Sequence, residues 1–328
     1  MDVLRPNDRP ALLALTAGDP SGIGPEIVAK CLARDELFKR MRLVVLGPAS
    51  CRPVGVPLVA SGGLAFDSIE RAVWVDSGGP DRFEVGQVRP ESGRAALDAL
   101  RAGHELALGG LVEGLVTAPV NKEALHMAGE QVEGQTQLLG RWCNAPDVEM
   151  LAVAGQLRVL LLTRHLPIAE AIASIRTDDV SAHLRLLDAT LRELGIAEPR
   201  LALAGLNPHA GENGLLGKEE GELLAPAVRA ARAAGLDVSG PESPDTVFLA
   251  ASRGGFDGVL ALYHDQAFIP VKLLDPDGGL TLLTGLPYLR VSPAHGTAFD
   301  IAGKGLACEE NLAAALVQAA SWAQNRRS

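Results

Sequence analysis

One pattern dominates this chain. A short apolar run ends in a turn rich in glycine, proline or small polar residues, and a helical pattern follows. Residues 12–16 run into Gly18-Asp19-Pro20-Ser21-Gly22-Ile23-Gly24-Pro25-Glu26, and residues 42–46 into Gly47-Pro48. Residues 114–116 run into Thr117-Ala118-Pro119-Val120-Asn121-Lys122. Residues 158–162 lead to Thr163-Arg164-His165, residues 201–206 to Asn207-Pro208-His209, and residues 258–262 to Tyr263-His264-Asp265. Apolar runs of strand length, without polar alternation, are buried on both faces, and the helices between them supply the cover. The expected fold class is therefore α/β, with a largely parallel sheet.

Helical stretches fill the gaps. Pro25 suits a first helical position and Glu26 the positive end of the helix, with Ile27, Val28, Cys31 and Leu32 as the apolar stripe. A second helix is expected to be capped at Asp179 or Ser181 and to bury Leu184, Leu187, Leu191 and Leu194. Others are expected over residues 225–234 and 312–322. A length of 328 residues allows about two domains, and without repeats or long linkers these should be interwoven.

Composition narrows the function. Thirty-six glycines with only 4% aromatic residues suit an enzyme of tight strand-to-helix turns rather than an aromatic-rich binding module. A formal net charge of -10 argues against a general nucleic-acid binder. Cys31, Cys51, Cys143 and Cys308 are scattered, without the C-x-x-C spacing of redox or zinc motifs. Residues 1–10 are polar and proline-bearing, unlike a secretory leader, so a cytoplasmic location with reduced thiols is expected. No apolar run reaches the roughly 20 residues of a membrane helix. The nearest, residues 150–163, is broken by Gln156 and Arg158.

Three of the seven histidines, His165, His209 and His264, each follow a strand-like run. Open parallel sheets bind ligands beyond the carboxyl ends of their strands. Three imidazoles delivered there suit a divalent metal with an open coordination position. Each one alone is better explained as a residue that caps a strand or bonds to backbone; the coincidence of all three favours metal. His104 reads as a helix residue, His183 as solvated on a leucine-striped helix, and His126 has no chemical neighbour in sequence. His295 opens the glycine-containing loop His295-Gly296-Thr297-Ala298, close to Arg290 and Ser292.

Residues 18–26 match neither G-x-G-x-x-G nor a Walker loop. The segment could receive an anion on backbone N–H groups, or it could be a tight turn that needs glycine angles. Lys272 and Arg290 suit a phosphate or carboxylate substrate. Asp245-Thr246, after a proline-rich turn, reads first as a helix cap.

Taken in order, these strings resemble the 4-hydroxythreonine-4-phosphate dehydrogenase family of pyridoxal-phosphate synthesis. The resemblance rests on residues 18–26 and 117–122, on Asn207-Pro208-His209-Ala210-Gly211-Glu212, and on Pro244-Asp245-Thr246. It continues through Tyr263-His264-Asp265-Gln266 and Gly285-Leu286-Pro287-Tyr288-Leu289-Arg290, and ends with the string from His295 to Gly305. The last string is also similar to the adenosine-wrapping loop of isopropylmalate and isocitrate dehydrogenases. The resemblance implies their fold: two interwoven α/β/α subdomains, one of residues 1–120 plus 270–328 and the other of residues 121–269.

It further implies NAD or NADP as cofactor, held by His295, Gly296, Thr297, Ala298, Asp300 and Gly303. One divalent metal per subunit would sit on His165, His209 and His264, with zinc first and cobalt, manganese or magnesium as alternatives. The site would form at a homodimer interface with ligands shared between subunits. Lys272, Arg290 and Thr136 match substrate-binding positions, and Asp245, Lys272 and Lys122 are candidates for proton handling. Two positions depart from the family. Gln135 stands where a substrate-contacting histidine is usual, and Thr281 where asparagine is usual. The implied reaction is oxidation of 4-phospho-hydroxy-L-threonine to 2-amino-3-oxo-4-phosphooxybutanoate, which decarboxylates to 3-amino-2-oxopropyl phosphate. Gln135 and Thr281 make a paralogue acting on 4-phospho-D-threonate or 4-phospho-D-erythronate the alternative, because polar first-contact changes redirect specificity. A cis-dihydrodiol dicarboxylate dehydrogenase and a metal-dependent hydrolase or acyltransferase are more distant readings. The expected partners are a small phosphorylated hydroxy acid and a second copy of the chain, with no nucleic acid and no membrane.

Overall fold

A computed structural model describes residues 9–276 and 279–327. The polar stretch read as leaderless lies outside the described residues up to position 8, and so do Asp277 and Gly278 of the glycine-interrupted segment before Thr281. The chain divides into two compact units. One runs up to Val148 and resumes at Leu286; the other is Glu149–Gly285. These divisions fall further along the chain than residues 120 and 270.

The first unit begins with β1 (Ala11–Thr16), α1 (Gly24–Leu32), β2 (Met41–Gly47), β3 (Leu58–Val59) and β4 (Ala72–Asp76). It continues with α2 (Pro90–Leu108), β5 (Gly114–Thr117), α3 (Lys122–Met127) and α4 (Gln135–Trp142). The second unit holds β6 (Glu149–Ala154), β7 (Leu157–Leu161), α5 (Ile168–Ser174), α6 (Thr177–Glu193), β8 (Arg200–Ala204) and α7 (Ala225–Ala233). Then come β9 (Asp237–Glu242), α8 (Val247–Ser252), β10 (Gly258–Ala261), α9 (His264–Leu274) and β11 (Leu280–Thr284). The chain returns to the first unit with β12 (Arg290–Pro293) and α10 (Glu310–Asn325).

Strands of the first unit run β3-β4-β2-β1-β5-β12, all parallel. Every residue of β1 and β5 is buried, as double cover requires. Gly103 of α2 is forced by this packing: a Cβ there would meet Leu115, Thr16 and Leu46 at 2.8 to 3.3 Å. Helix α10 packs on β1, β5 and β12.

Strands of the second unit run β11-β6-β7-β10-β8-β9. From β7 to β9 they are parallel, while β6 pairs antiparallel with both β7 and β11. The apolar stretch 150–163 is therefore a hairpin. Gly155, at φ 56°, turns the chain between β6 and β7. Helices α8 and α9 cover one face through Val247, Phe248, Ala267 and Phe268, packed against Val159, Ala202 and Val259. Gly258 points to the opposite face, where Leu187 and Leu191 of α6 close on it. Helix α6 starts at Thr177 and carries no side-chain cap, so neither Asp179 nor Ser181 caps it. Both lie inside its first turns, where Asp179 complements the helix dipole. Among the described residues no helix is long and apolar enough to cross a membrane.

Candidate active site

In the second unit the strand ends explain which histidines meet. β7 and β10 are parallel neighbours with Leu161 opposite Ala261. His165 and His264 leave those ends, and their rings approach edge to face with centroids 5.6 Å apart. His264 opens α9, stacks on Phe268 at 4.6 Å and shares its Nδ1 with Asp265 Oδ1 at 2.7 Å. That bond ties up Nδ1 on a carboxylate, the usual backing of an imidazole that binds a metal through its other nitrogen. A cavity of about 230 Å³ is lined by Arg164, His165, Tyr263, His264 and Asp265.

His209 does not join them. Among the described residues no group of three His, Cys, Asp or Glu could hold one ion. His209 is exposed, at the start of an unusual turn: His209, Ala210, Gly211, Glu212 and Asn213 all have φ between 44 and 76°. Left-handed backbone costs L-residues roughly 1–2 kcal/mol each, so the turn must be held from outside. Glu220, itself buried, accepts from the N–H groups of Leu206 and Asn207 at 2.9 and 2.6 Å and from Asn207 Nδ2 at 2.9 Å. Gln266 then ties the two strand ends together, accepting from Leu262 N at 2.7 Å and donating to Gly205 O at 2.8 Å.

A larger cavity, about 510 Å³, lies between α8 and α9. Its lining is mostly apolar, with Asp245, Ser252, Tyr263, Asp265 and Gln266 as polar members. Asp245 is exposed and accepts from Ser243 Oγ at 2.7 Å, and Thr246, not Asp245, is the residue before α8. Lys272 is exposed on α9, eight residues past His264 or roughly 12 Å along the helix. Thr281 is buried in β11 opposite Ala152.

The first unit carries the other candidates. Arg290 opens β12, opposite Leu115, and is only 4% exposed. Its Nη2 donates to Thr117 Oγ1 at 2.6 Å and to Gln135 Oε1 at 3.2 Å. Gln135 in turn donates to Ala118 O at 3.3 Å, and Thr136 is half-buried beside it. Arg290 Nε is buried without a partner, and no carboxylate among the described residues pairs with the guanidinium. Burial pushes its pKa down to about 10. A buried cation held only by neutral groups lacks the counter-charge that would offset its desolvation.

The loop from His295 is strapped to α1. Thr297 O accepts from Ile23 N at 3.0 Å. Glu26 accepts from Gly305 N and Ala307 N at 3.2 and 2.9 Å, and Lys30 donates to Gly305 O at 3.0 Å. Ala298 has a φ of 40°, and Asp300 O accepts from Lys304 Nζ at 2.7 Å. His295 Nδ1 lies 3.0 Å from Gly296 O, while Nε2 is buried without a partner. Gly296 and Gly303 are exposed.

Residues 18–26 form a tight turn that uses most of its own N–H groups. The N–H groups of Asp19, Ser21, Gly22 and Ile23 are all taken within the protein. Gly18, at φ 75°, could not carry a side chain, because a Cβ would lie 2.4 Å from Pro119 O. Asp19 is fully buried with Oδ2 unpartnered, and burial raises its pKa to about 6. His183 is not solvated either. It is half-buried 3.7 Å from Glu149; burial opposes its charge, but Glu149 and the Asp179 carbonyl outweigh that and raise its pKa. Sequence reasoning missed Glu26 and Lys30 as loop anchors, and Gln266 and Glu220 as braces. Thr117 stood inside a quoted string without a role.

Chains built in this way are α/β enzymes that keep their reacting groups beyond the carboxyl ends of parallel strands. The sequence profile of the family described as pyridoxal phosphate biosynthetic protein PdxA matches residues 35–319. The chain belongs to this family. It is 41% identical over 319 residues to a D-threonate 4-phosphate dehydrogenase of Salmonella typhimurium, covering 93% of this chain and 96% of that one. It is 43% identical over 313 residues to a 4-hydroxythreonine-4-phosphate dehydrogenase of Beijerinckia indica, covering 92% and 91%. The crystal structure of a 4-hydroxythreonine-4-phosphate dehydrogenase from Klebsiella pneumoniae superposes with a TM-score of 0.87 at 39% identity, over 97% and 99% of the two chains. The family's dehydrogenase chemistry implies a nicotinamide cofactor.

Proposed function

We propose that this dehydrogenase oxidises the secondary hydroxyl of a phosphorylated four-carbon hydroxy acid, with 4-phospho-hydroxy-L-threonine as first substrate. The product, 2-amino-3-oxo-4-phosphooxybutanoate, is a β-keto acid that loses CO2 to give 3-amino-2-oxopropyl phosphate. The observation that carries the reading is Arg290, a buried guanidinium with neutral partners and no carboxylate among the described residues. Lys272 adds an exposed cation for the same class of substrate, and Thr136 and Thr281 are the remaining proposed contacts. Asp245 is the proposed acceptor of the hydroxyl proton.

The donor set fits a divalent ion. His264 is oriented by Asp265 through Nδ1, and His165 lies beside it. His209 is the proposed third ligand. Because it stands apart within one chain, we take the ligands to be shared between two copies, zinc being the best match to three imidazoles. Leu249, Ile269 and Leu273, at 50, 59 and 79% exposure along α8 and α9, give a second copy an apolar surface to cover. The cofactor, NAD or NADP bound by the loop from His295 to Gly303, and the ion together supply hydride acceptance and polarisation of the hydroxyl.

A second reading has support of its own. Relatives named D-threonate 4-phosphate dehydrogenase match 93 and 96% of the chain, and Gln135 alters the family's pattern at a substrate position. The test is formation of reduced nicotinamide by metal-reconstituted protein. NAD and NADP are each offered with 4-phospho-hydroxy-L-threonine, 4-phospho-D-threonate and 4-phospho-D-erythronate. Turnover of the amino acid supports the first reading, turnover of the sugar acids alone moves the assignment to the second, and no turnover of any sinks both.

A further inference from the structure

We propose that Gln135 serves as the positioning residue for Arg290, presenting its guanidinium to the substrate's anionic group, and is not itself the substrate's principal contact. This deepens the proposed function and rests on it.

Donor and acceptor chemistry fixes how the amide lies. A guanidinium has only donors, so the atom 3.2 Å from Arg290 Nη2 must be Gln135 Oε1. Ala118 O can only accept, so the amide nitrogen must face it, as it does at 3.3 Å. With Thr117 Oγ1 the amide holds one Nη in place from two sides. Arg290 Nε and Nη1 make no hydrogen bond within the described residues, and the amide nitrogen of Gln135 has a second N–H; all of these are donors left for a ligand. The seat therefore takes a group with several acceptor oxygens and negative charge, a phosphate monoester or a carboxylate. An imidazolium at position 135 would have no acceptor for Arg290 and would set like charges side by side. Glutamine keeps the seat at one permanent positive charge. The other titratable neighbours are Tyr288, which acts on Arg290 through space, and Lys122, whose Cε lies 3.6 Å from where a Cβ on Gly134 would stand.

The experiment compares wild type with Gln135→Leu, Gln135→Asn and Gln135→His in steady-state kinetics, with inorganic phosphate binding read by calorimetry. Losing the acceptor should raise KM and the phosphate Kd about tenfold in Gln135→Leu, as expected for a hydrogen bond to a charged group, with kcat within about twofold. Gln135→Asn, too short to reach, should behave alike and provides a second variant if leucine disturbs folding. Gln135→His should add an ionisation to the pH profile of KM that wild type lacks, with KM improving as pH falls and the ring becomes a second cation. Unchanged KM and phosphate Kd in the leucine and asparagine variants would overturn the inference. If wild type turns over no phosphorylated hydroxy acid, the proposed function fails, while the phosphate titrations still decide the role of Gln135.

Discussion

Arg290 and the His165–His264 pair are both strand-end groups, yet the chain treats them in opposite ways. Arg290 is sealed in, with its partners supplied by β5 and α4 of its own unit. The His264 side chain is 38% exposed, and its ring is steadied by one carboxylate and one phenyl group. A buried charge without a counter-charge destabilises the fold that carries it. An exposed imidazole hardly does. At Arg290 function and stability should therefore oppose each other, and at the histidines they should be independent.

The sharpest way to break this contrast is Arg290→Met. We expect kcat/KM to fall by on the order of a thousandfold, in line with loss of a desolvated charge pair to substrate. The melting temperature should hold or rise, because an isolated charge leaves the interior. A large fall in melting temperature would show that Arg290 is structural. His264→Ala tests the other side. Bound metal should fall at least about tenfold and activity with it, while stability stays within about 0.5 kcal/mol, as for an exposed position. Retained metal content, measured by elemental analysis, would remove His264 from the site.

The smallest effect on activity is expected at Asp19, the second buried charge of the first unit. Its pKa is raised from 3.8 to about 6, so the folded state holds the proton more tightly than the unfolded chain. Stability should then fall as pH rises through that window, by up to about 3 kcal/mol once the carboxylate is charged. Asp19→Asn should stabilise the protein by up to about 3 kcal/mol near neutral pH and by almost nothing below about pH 4. Denaturant titrations at several pH values would show it, and a pH-independent difference would mean that the asparagine acts through packing instead.

Much of this was legible in the sequence because burial writes itself as apolar runs. The strands that carry His165 and His264 could be read from residues 158–162 and 258–262, and the two rings do meet. The geometry of His209 could not. A left-handed turn of mostly non-glycine residues has no hydrophobic signature, and it depends on Glu220, whose glutamate-rich surroundings look like a solvated helix face. The β6–β7 hairpin was hidden for a related reason: its two-residue turn, Gly155-Gln156, interrupts one apolar stretch too briefly to announce a reversal. The Arg290 seat lay between these cases. Arg290 and Gln135 each stood out as chemistry, but an amide aimed from α4 at a guanidinium on β12 is a contact between residues far apart in sequence, and no local pattern encodes it.

The turn from His209 to Asn213 also limits how such a chain can change over generations. Its residues share one mirror-image winding, so they do not mutate independently. A β-branched side chain at any one of them strains the whole segment, whereas glycine, asparagine and aspartate enter easily. Accepted variation in this loop is thus channelled through a narrow alphabet, and the imidazole at its head travels only where that alphabet lets the backbone go.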